Sequence, residues 1–149
     1  MNYQVEFVTA RPTVLAAVRR ETPRAALGAT IIAGLNTVYA FLKTAPVRSR
    51  GINVVIYLDG QMTIEVGVQV AEAFADAPPV RCITTPAGPA AHTTHWGDYA
   101  KLGDANAAIH AWVAAHGRRL AGPSWEVYGH HADEPAQRRT DVYYLLADV

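Results

Sequence analysis

One carboxylate stands in a segment that otherwise has apolar and aromatic neighbours. Glu126 follows Trp125 and precedes Tyr128 by two positions, so on a strand Glu126 and Tyr128 share a face. A carboxylate on an interior strand loses several kcal/mol of hydration unless it is paired or hydrogen-bonded. Among aromatic rings it would attract a cation by its charge and by the ring quadrupoles, at about 0.5–2 kcal/mol for each good contact. The plainer alternative is a solvated edge-strand glutamate, or one paired with an arginine.

The same carboxylate could instead do acid–base chemistry. A carboxyl group in an apolar pocket can activate water or protonate a leaving group near neutral pH. Other catalytic signals are missing from the sequence: it has no nucleophile elbow, phosphate loop or dinucleotide fingerprint, and Cys82 lies in an apolar context where thiols are usually inert. We therefore expect no cofactor, and Glu126 is the catalytic candidate if the protein is an enzyme.

The histidines do not form a predicted metal site. His92 and His95 are three residues apart, which on a strand places them on opposite faces. The segment His130–Glu134 holds suitable atoms but lacks the ligand spacing of a zinc site, and a polar loop explains it equally well. The sequence predicts no bound metal.

Composition narrows the class of protein. The chain has 149 residues, half of them hydrophobic and 17% charged, with 13 basic and 13 acidic residues. This is ordinary globular composition for one domain. The basic residues occur as scattered pairs, whereas binding to nucleic acid requires clustered positive charge. Direct binding to nucleic acid is not expected.

The sequence also shows no targeting signal. No basic start followed by a long apolar stretch is present. The apolar segment Ile31–Leu42 is interrupted by Gly34, Asn36 and Thr37 and looks too short and too polar to span a bilayer. We expect a cytoplasmic protein without a membrane partner.

Hydrophobic periodicity predicts an α+β fold. The spacing of Ile31, Leu35 and Val38 indicates a helix over Arg24–Lys43, and a second helix is expected over Lys101–His116, capped by Gly117. Apolar runs and turn signals indicate strands near residues 1–8, 13–20, 52–58, 62–70, 80–85, 90–96, 124–131 and 140–147. The third and fourth strands should form a hairpin around Asp59-Gly60.

The order strand-strand-helix-strand-strand occurs twice in this prediction. It indicates one domain over residues 1–149, built from repeats of about 1–72 and 78–149. These would be duplicated βαββ modules with pseudo-twofold symmetry, about eight strands and two main helices around a central cleft. In the aligned repeats Glu126 takes the position of Val55, and Tyr128 that of Tyr57. The predicted ligand-binding residues are Glu126, Tyr39, Tyr57, Tyr128 and Tyr143, with Trp96 at the rim; Tyr143 and Tyr144 alternate, so only one of them can face the cleft.

Several motifs of the second half together resemble the GyrI-like family, whose domains also form the effector-binding part of multidrug-responsive transcription regulators. The motifs are a His-x-Gly-x-Tyr turn, a Leu-Gly helix start, a tryptophan late in the helix and a Gly-Pro-x-x-Glu-x-Tyr strand, here His95–Tyr99, Leu102-Gly103, Trp112 and Gly122–Tyr128. The similarity extends to TIEVGVQV and RRTDVYYLL, although the first half lacks the His-x-Gly-x-Tyr turn.

The resemblance implies a small-molecule-binding domain with Glu126 as the carboxylate of its cleft. Three functions stay open. The first is binding or sequestering a hydrophobic, aromatic molecule, cations included. The second is hydrolysis of an electrophilic compound, for example one that bears a cyclopropane. The third, inhibition of a protein partner, is ranked last because no acidic or apolar surface run supports it. With no helix-turn-helix before the first strand, a direct role in DNA binding is not expected.

Overall fold

The computed structural model describes residues 2–59, 62–130 and 134–148. Within them the chain forms eight strands and two α-helices, in the order that the sequence predicts. The strands are β1 Glu6–Ala10, β2 Val14–Glu21, β3 Ser49–Tyr57, β4 Thr63–Val70, β5 Arg81–Thr84, β6 Gly88–Trp96, β7 Leu120–Tyr128 and β8 Arg139–Leu146. The helices are α1 Leu27–Leu42 and α2 Leu102–Ala115, and short 3-10 turns cover Arg24–Ala26, Tyr99–Lys101 and Pro135–Gln137. The α+β prediction is confirmed.

The strands and helices divide between two compact units. The terminal unit comprises residues 1–11 and 86–149, and the central unit comprises Pro12–Thr85. β1 therefore belongs with the second half of the chain, where it pairs with β6. Likewise β5 pairs with β2 of the first half. In each predicted repeat the first strand thus pairs with the second strand of the other repeat.

The terminal unit is a four-stranded antiparallel sheet with α2 packed on one face. Its strand order is β1-β6-β8-β7. The core between helix and sheet consists of Ala91, Ala105, Ile109, Val113, Val142 and Leu146, all buried. Tyr3 and Val5, which precede β1, pack against this core, whereas Phe7 is 51% exposed, with the guanidinium of Arg118 over its ring. Trp112 is partly buried against the same core, in the packing role its helix position predicts.

Helix α2 ends at the predicted glycine. Gly117 has a positive φ of 62°, a conformation that costs glycine little. The Gly117 N–H donates to Ala114 O and the Arg118 N–H donates to Val113 O, which is the paired pattern of a Schellman motif. The chain therefore turns from α2 directly toward β7.

The central unit is the corresponding sheet with α1 on one face. Its strand order is β3-β4-β2-β5, again antiparallel. Gly34 of α1 lies so close to the sheet that an added Cβ would be 3.0 Å from Cβ of Val66 and 3.3 Å from Cγ2 of Val18. The predicted hairpin of β3 and β4 is confirmed by the pairing of Tyr57 with Ile64; Gly60 of its turn lies outside the described residues.

The first helical stretch is more apolar than the sequence prediction assumed. Over Arg24–Leu42 it would be long and apolar enough to cross a membrane by length and composition alone, with a hydropathy of 1.6, and 11% of that window is buried. In this structure Gly34 and Val38 are its buried residues, and Gly34 lies against the sheet of the central unit.

Candidate functional site

Glu126 lies in β7 of the terminal unit and is 7% exposed. It pairs with Val142 of β8, and paired residues of neighbouring strands point to the same face. Val142 belongs to the core beneath α2. Glu126 therefore projects from the face of the sheet that carries α2, at the margin of an apolar core where a carboxylate needs hydrogen-bond donors.

One of those donors is Tyr128, two residues further along the same face. Its hydroxyl donates to Oε1 of Glu126 at 2.6 Å, a length typical of a hydroxyl bonded to a carboxylate. The ring of Tyr99 meets the ring of Tyr128 edge to face, with centroids 5.6 Å apart. The structure thus brings together the predicted pair Glu126 and Tyr128 and adds Tyr99, which the pocket prediction left out.

A buried hydroxyl lies beside this group. Thr140 pairs with Tyr128 across β7 and β8, is fully buried, and within the described residues its Oγ1 has no hydrogen-bond partner. A buried hydroxyl without a partner costs about 1–3 kcal/mol. The hydroxyl is thus an unsatisfied buried group on the Glu126 face of the sheet.

The register of β8 distinguishes between Tyr143 and Tyr144. Tyr144 pairs with Ser124 and shares the face of Glu126. Its hydroxyl donates to Asn106 Oδ1 of α2 at 2.6 Å. Burial raises the pKa of Tyr144 and the charge of Glu126 raises it further, although a hydrogen bond with Ser124 acts the other way.

Tyr143 lies on the opposite face of the sheet. Its ring stacks on Trp125 at 5.1 Å and meets His92 at 4.6 Å. The expectation that Tyr143 accompanies Glu126 is therefore not met, because neighbouring residues of β8 alternate in direction and it is Tyr144 that shares the parity of Glu126.

Trp96, expected at the rim, also lies apart from Glu126. His95 pairs with Thr140 on the Glu126 face, and Trp96, the next residue, pairs with Arg139 on the other. Trp96 is 49% exposed, and its ring lies 5.6 Å from the Arg139 guanidinium. The chain then bends at Gly97, which has a φ of 123°, and beyond the bend Tyr99 contacts Tyr128.

Tyr39 and Tyr57 lie in the central unit. The Tyr39 hydroxyl donates to Asn53 Oδ1 at 2.6 Å. Tyr57 is two residues from Val55, whose partner Val66 lies under Gly34, so Tyr57 projects from the face of that sheet that carries α1. Their participation in a site with Glu126 stays a prediction.

The aligned position of Val55 and Glu126 is supported by the strand registers. Val55 pairs with Val66, the residue after Glu65, and Glu126 pairs with Val142, the residue after Asp141. One strand position thus carries a buried aliphatic residue in the central unit and a buried acid in the terminal unit.

A second buried acid, which was not among the predicted site residues, lies in the central unit. Glu65 of β4 is 2% exposed, and its carboxylate accepts from Arg19 at 3.0 Å and from Arg81 at 2.8 Å. Two guanidinium groups thus pair with this one carboxylate. The signal was a lone acid in the apolar segment TIEVGVQV, opposite an arginine in β2.

Asp141 takes the corresponding place in the terminal unit. Burial alone would raise its pKa, but hydrogen bonds from His92, Arg139 and Thr94 lower the pKa to about 2. His92 bridges Asp141 at 2.8 Å and Glu6 of β1 at 3.0 Å. Burial lowers the pKa of His92, yet these two hydrogen bonds outweigh it, so that the pKa is raised.

The described residues contain no group of three or more His, Cys, Asp or Glu side chains that could bind a metal. His131 and Asp133 of the polar loop lie outside them. His92 and His95 project from opposite faces of β6, as the sequence predicts: His92 toward Asp141, and His95 toward Tyr3.

Comparison with known proteins identifies the fold. The profile of a family described as "GyrI-like small molecule binding domain" matches residues 3–146. No curated protein matches the chain in sequence.

Solved structures resemble the whole chain. The crystal structure of the EcmrR C-terminal domain has a TM-score of 0.84 at 19% identity and covers 100% of both chains. EcmrR in its DNA complex has a TM-score of 0.81 at 17% identity, over 99% of this chain and 58% of that one. A hydrolase from Listeria innocua has a TM-score of 0.60 at 11% identity, over 97% of this chain and 92% of that one. SAV2435 bound to tetraphenylphosphonium has a TM-score of 0.62 at 12% identity, over 99% of this chain and 94% of that one.

Proposed function

Because the chain belongs to the family of GyrI-like small-molecule-binding domains, we propose that it binds a hydrophobic, aromatic cation at Glu126. The observation that carries the proposal is a carboxylate only 7% exposed on the α2 face of the terminal unit, bonded to Tyr128 and close to aromatic side chains. A desolvated acid among aromatic rings attracts cations by charge and by the ring quadrupoles.

A further aromatic side chain supports the proposal: the register places Tyr144 on the face of Glu126, where the sequence had suggested Tyr143. SAV2435, which has the same fold, was solved with the aromatic cation tetraphenylphosphonium, and this ion is therefore a suitable probe.

The test separates charge from shape. Isothermal titration compares tetraphenylphosphonium with tetraphenylborate, an anion of nearly the same size and shape. We expect the wild-type protein to prefer the cation, and Glu126→Gln to weaken cation binding by about tenfold or more, equivalent to about 1.4 kcal/mol. Glu72→Gln, at an exposed acid of the central unit, is the matched control and should bind as the wild type does. Equal cation affinity in wild type and Glu126→Gln would show that the Glu126 carboxylate does not bind the cation.

Hydrolysis of an electrophilic small molecule is the second candidate. The hydrogen bond between the Tyr128 hydroxyl and Glu126 places a phenol and a carboxylate where they could act as a general acid–base pair. Incubation with a cyclopropane-bearing alkylator, followed by mass spectrometry, would show addition of one water if this is correct. If the wild type and the variants bind the compound and form no product, hydrolysis is excluded and binding is the function.

A further inference from the structure

His95 is a buried polar side chain that the proposed binding site does not itself use. It is 0% exposed in β6. Its Nδ1 lies 2.8 Å from the hydroxyl of Tyr3, and its Nε2 lies 2.8 Å from the backbone oxygen of Asp98. Both ring nitrogens therefore have partners, one in the segment before β1 and one in the turn after β6.

The partners define the tautomer. A carbonyl oxygen can only accept, so Nε2 carries the proton that bonds Asp98. In the neutral imidazole Nδ1 is then an acceptor, and the Tyr3 hydroxyl donates to it. The two rings also stack, with centroids 5.9 Å apart. An imidazole bonded at both nitrogens and stacked on a neighbour has one orientation.

The turn that accepts the hydrogen bond of His95 is connected to Glu126 through Tyr99 and Tyr128. The carboxylate of Asp98 accepts from the Ala100 N–H and so caps the 3-10 turn Tyr99–Lys101. The ring of Tyr99 contacts the ring of Tyr128, and the Tyr128 hydroxyl donates a hydrogen bond to Glu126. A continuous series of contacts, all within the terminal unit, therefore connects Tyr3 to Glu126.

We propose that Tyr3 and His95 are positioning residues for the ligand site: they hold Tyr99 against Tyr128 and so keep the Glu126 carboxylate oriented for a cation. A site whose side chains are already fixed loses less entropy when the ligand binds. The segment before β1 thus contributes to affinity without touching the ligand. This inference rests on the proposed function, since it requires cation binding at Glu126.

Conservative variants of the 149-residue chain test the inference. Tyr3→Phe removes only the hydroxyl that bonds Nδ1, and His95→Gln keeps an N–H that can reach the Asp98 oxygen. We expect Tyr3→Phe to weaken tetraphenylphosphonium binding by about three- to tenfold, the effect of one lost hydrogen bond, and His95→Gln to weaken it at least as much.

Thr93→Val is the matched control for general loosening of the same segment. The Thr93 hydroxyl donates to the Gln4 oxygen at 2.9 Å, next to Tyr3 in sequence but outside the series of contacts. We expect Thr93→Val to lower the melting temperature and to leave cation affinity unchanged. If it weakens binding as much as Tyr3→Phe does, docking of the segment matters and the His95 contacts do not, which overturns the inference.

A double-mutant cycle adds a readout that a purely structural role would not move. Tyr99→Leu removes the ring through which His95 is proposed to act. In that background Tyr3→Phe should cause no further loss of affinity. If the affinity of the double variant falls by the product of the two single fold-changes, the inference is contradicted. If wild type binds the cation, Glu126→Gln does not, and Tyr3→Phe binds normally, the inference fails while the proposed function stands. If wild type fails to bind, both fail.

Discussion

The hydroxyl of Tyr128 donates a 2.6 Å hydrogen bond to Oε1 of Glu126, two residues earlier on the same face of β7. The strand period of two makes this contact readable in the motif Glu-x-Tyr. The sequence does not indicate which other groups surround this contact. They are the Tyr99 ring against Tyr128 and the buried hydroxyl of Thr140.

Tyr128→Phe should lower the free energy of unfolding by about 1–3 kcal/mol, because a hydrogen bond to a poorly exposed carboxylate is lost while the ring stays. Urea denaturation measures it. Tyr143→Phe is the control, since no hydrogen bond of the Tyr143 hydroxyl is found among the described residues, and its effect should be smaller. Equal effects would show that the Glu126 bond adds nothing to stability.

Thr140→Val and Thr93→Val should change stability in opposite directions. Both threonines are buried in strands. Thr140 Oγ1 has no hydrogen-bond partner among the described residues, so valine relieves an unsatisfied group and should raise the free energy of unfolding by about 1 kcal/mol. Thr93 bonds Gln4, so its replacement should lower it by a similar amount. Equal losses in the two variants would mean that the Thr140 hydroxyl is satisfied in solution.

Much of the fold could be predicted because period-two and helical patterns are local. They indicated the eight strands, the two helices and the Gly117 cap. The pairing of β1 with β6 and of β5 with β2 is not local. These strands are far apart in sequence, and no turn signal between them indicates their pairing.

The candidate site was predictable to the same extent. Glu126 and Tyr128 share one strand, so alternation alone relates them. The choice of Tyr144 over Tyr143 depends on the register between β7 and β8. The contact of Tyr99 in place of Trp96 depends on the path of the chain after the bend at Gly97. Neither is encoded in the spacing of the residues themselves.

The bridge of His92 to Asp141 and Glu6 predicts a pH dependence of stability. The pKa of His92 is raised in the folded chain above the usual 6.5, so the folded state binds the proton more tightly. The stabilisation is complete below about pH 6.5 and is lost as the pH rises through the raised pKa. Denaturation from pH 5 to 9 should show wild type losing this contribution and His92→Gln lacking it. If His92→Gln has the same pH profile as the wild type, the assignment is contradicted.

Two glycines of α1 should respond differently to alanine. An added Cβ at Gly28 meets nothing within 4 Å, whereas at Gly34 it would lie 3.0 Å from Cβ of Val66. Gly28→Ala should therefore raise stability by about 0.5–1 kcal/mol through helix propensity. Gly34→Ala should lower the stability by about 1 kcal/mol or more, because the added methyl group would crowd Val66 and Val18 of a packed sheet. Thermal unfolding of both variants measures the two changes in stability. If Gly34→Ala raises stability as much as Gly28→Ala does, α1 is not closely packed at Gly34.

Tyr144 reports the charge of Glu126. Because that negative charge disfavours a tyrosinate, it raises the pKa of Tyr144 in addition to burial. Glu126→Gln should therefore lower the pKa of Tyr144, and a bound tetraphenylphosphonium should lower it in the wild type by offsetting the same charge. Labelling tyrosine Cζ with carbon-13 allows each residue to be titrated by NMR. Tyr143 serves as the internal reference, because its raised pKa derives from burial and from Asp141, and it should not respond. A ligand that shifts the pKa of Tyr143 and leaves Tyr144 unchanged would place the cation on the other face of the sheet, near Asp141 and away from Glu126.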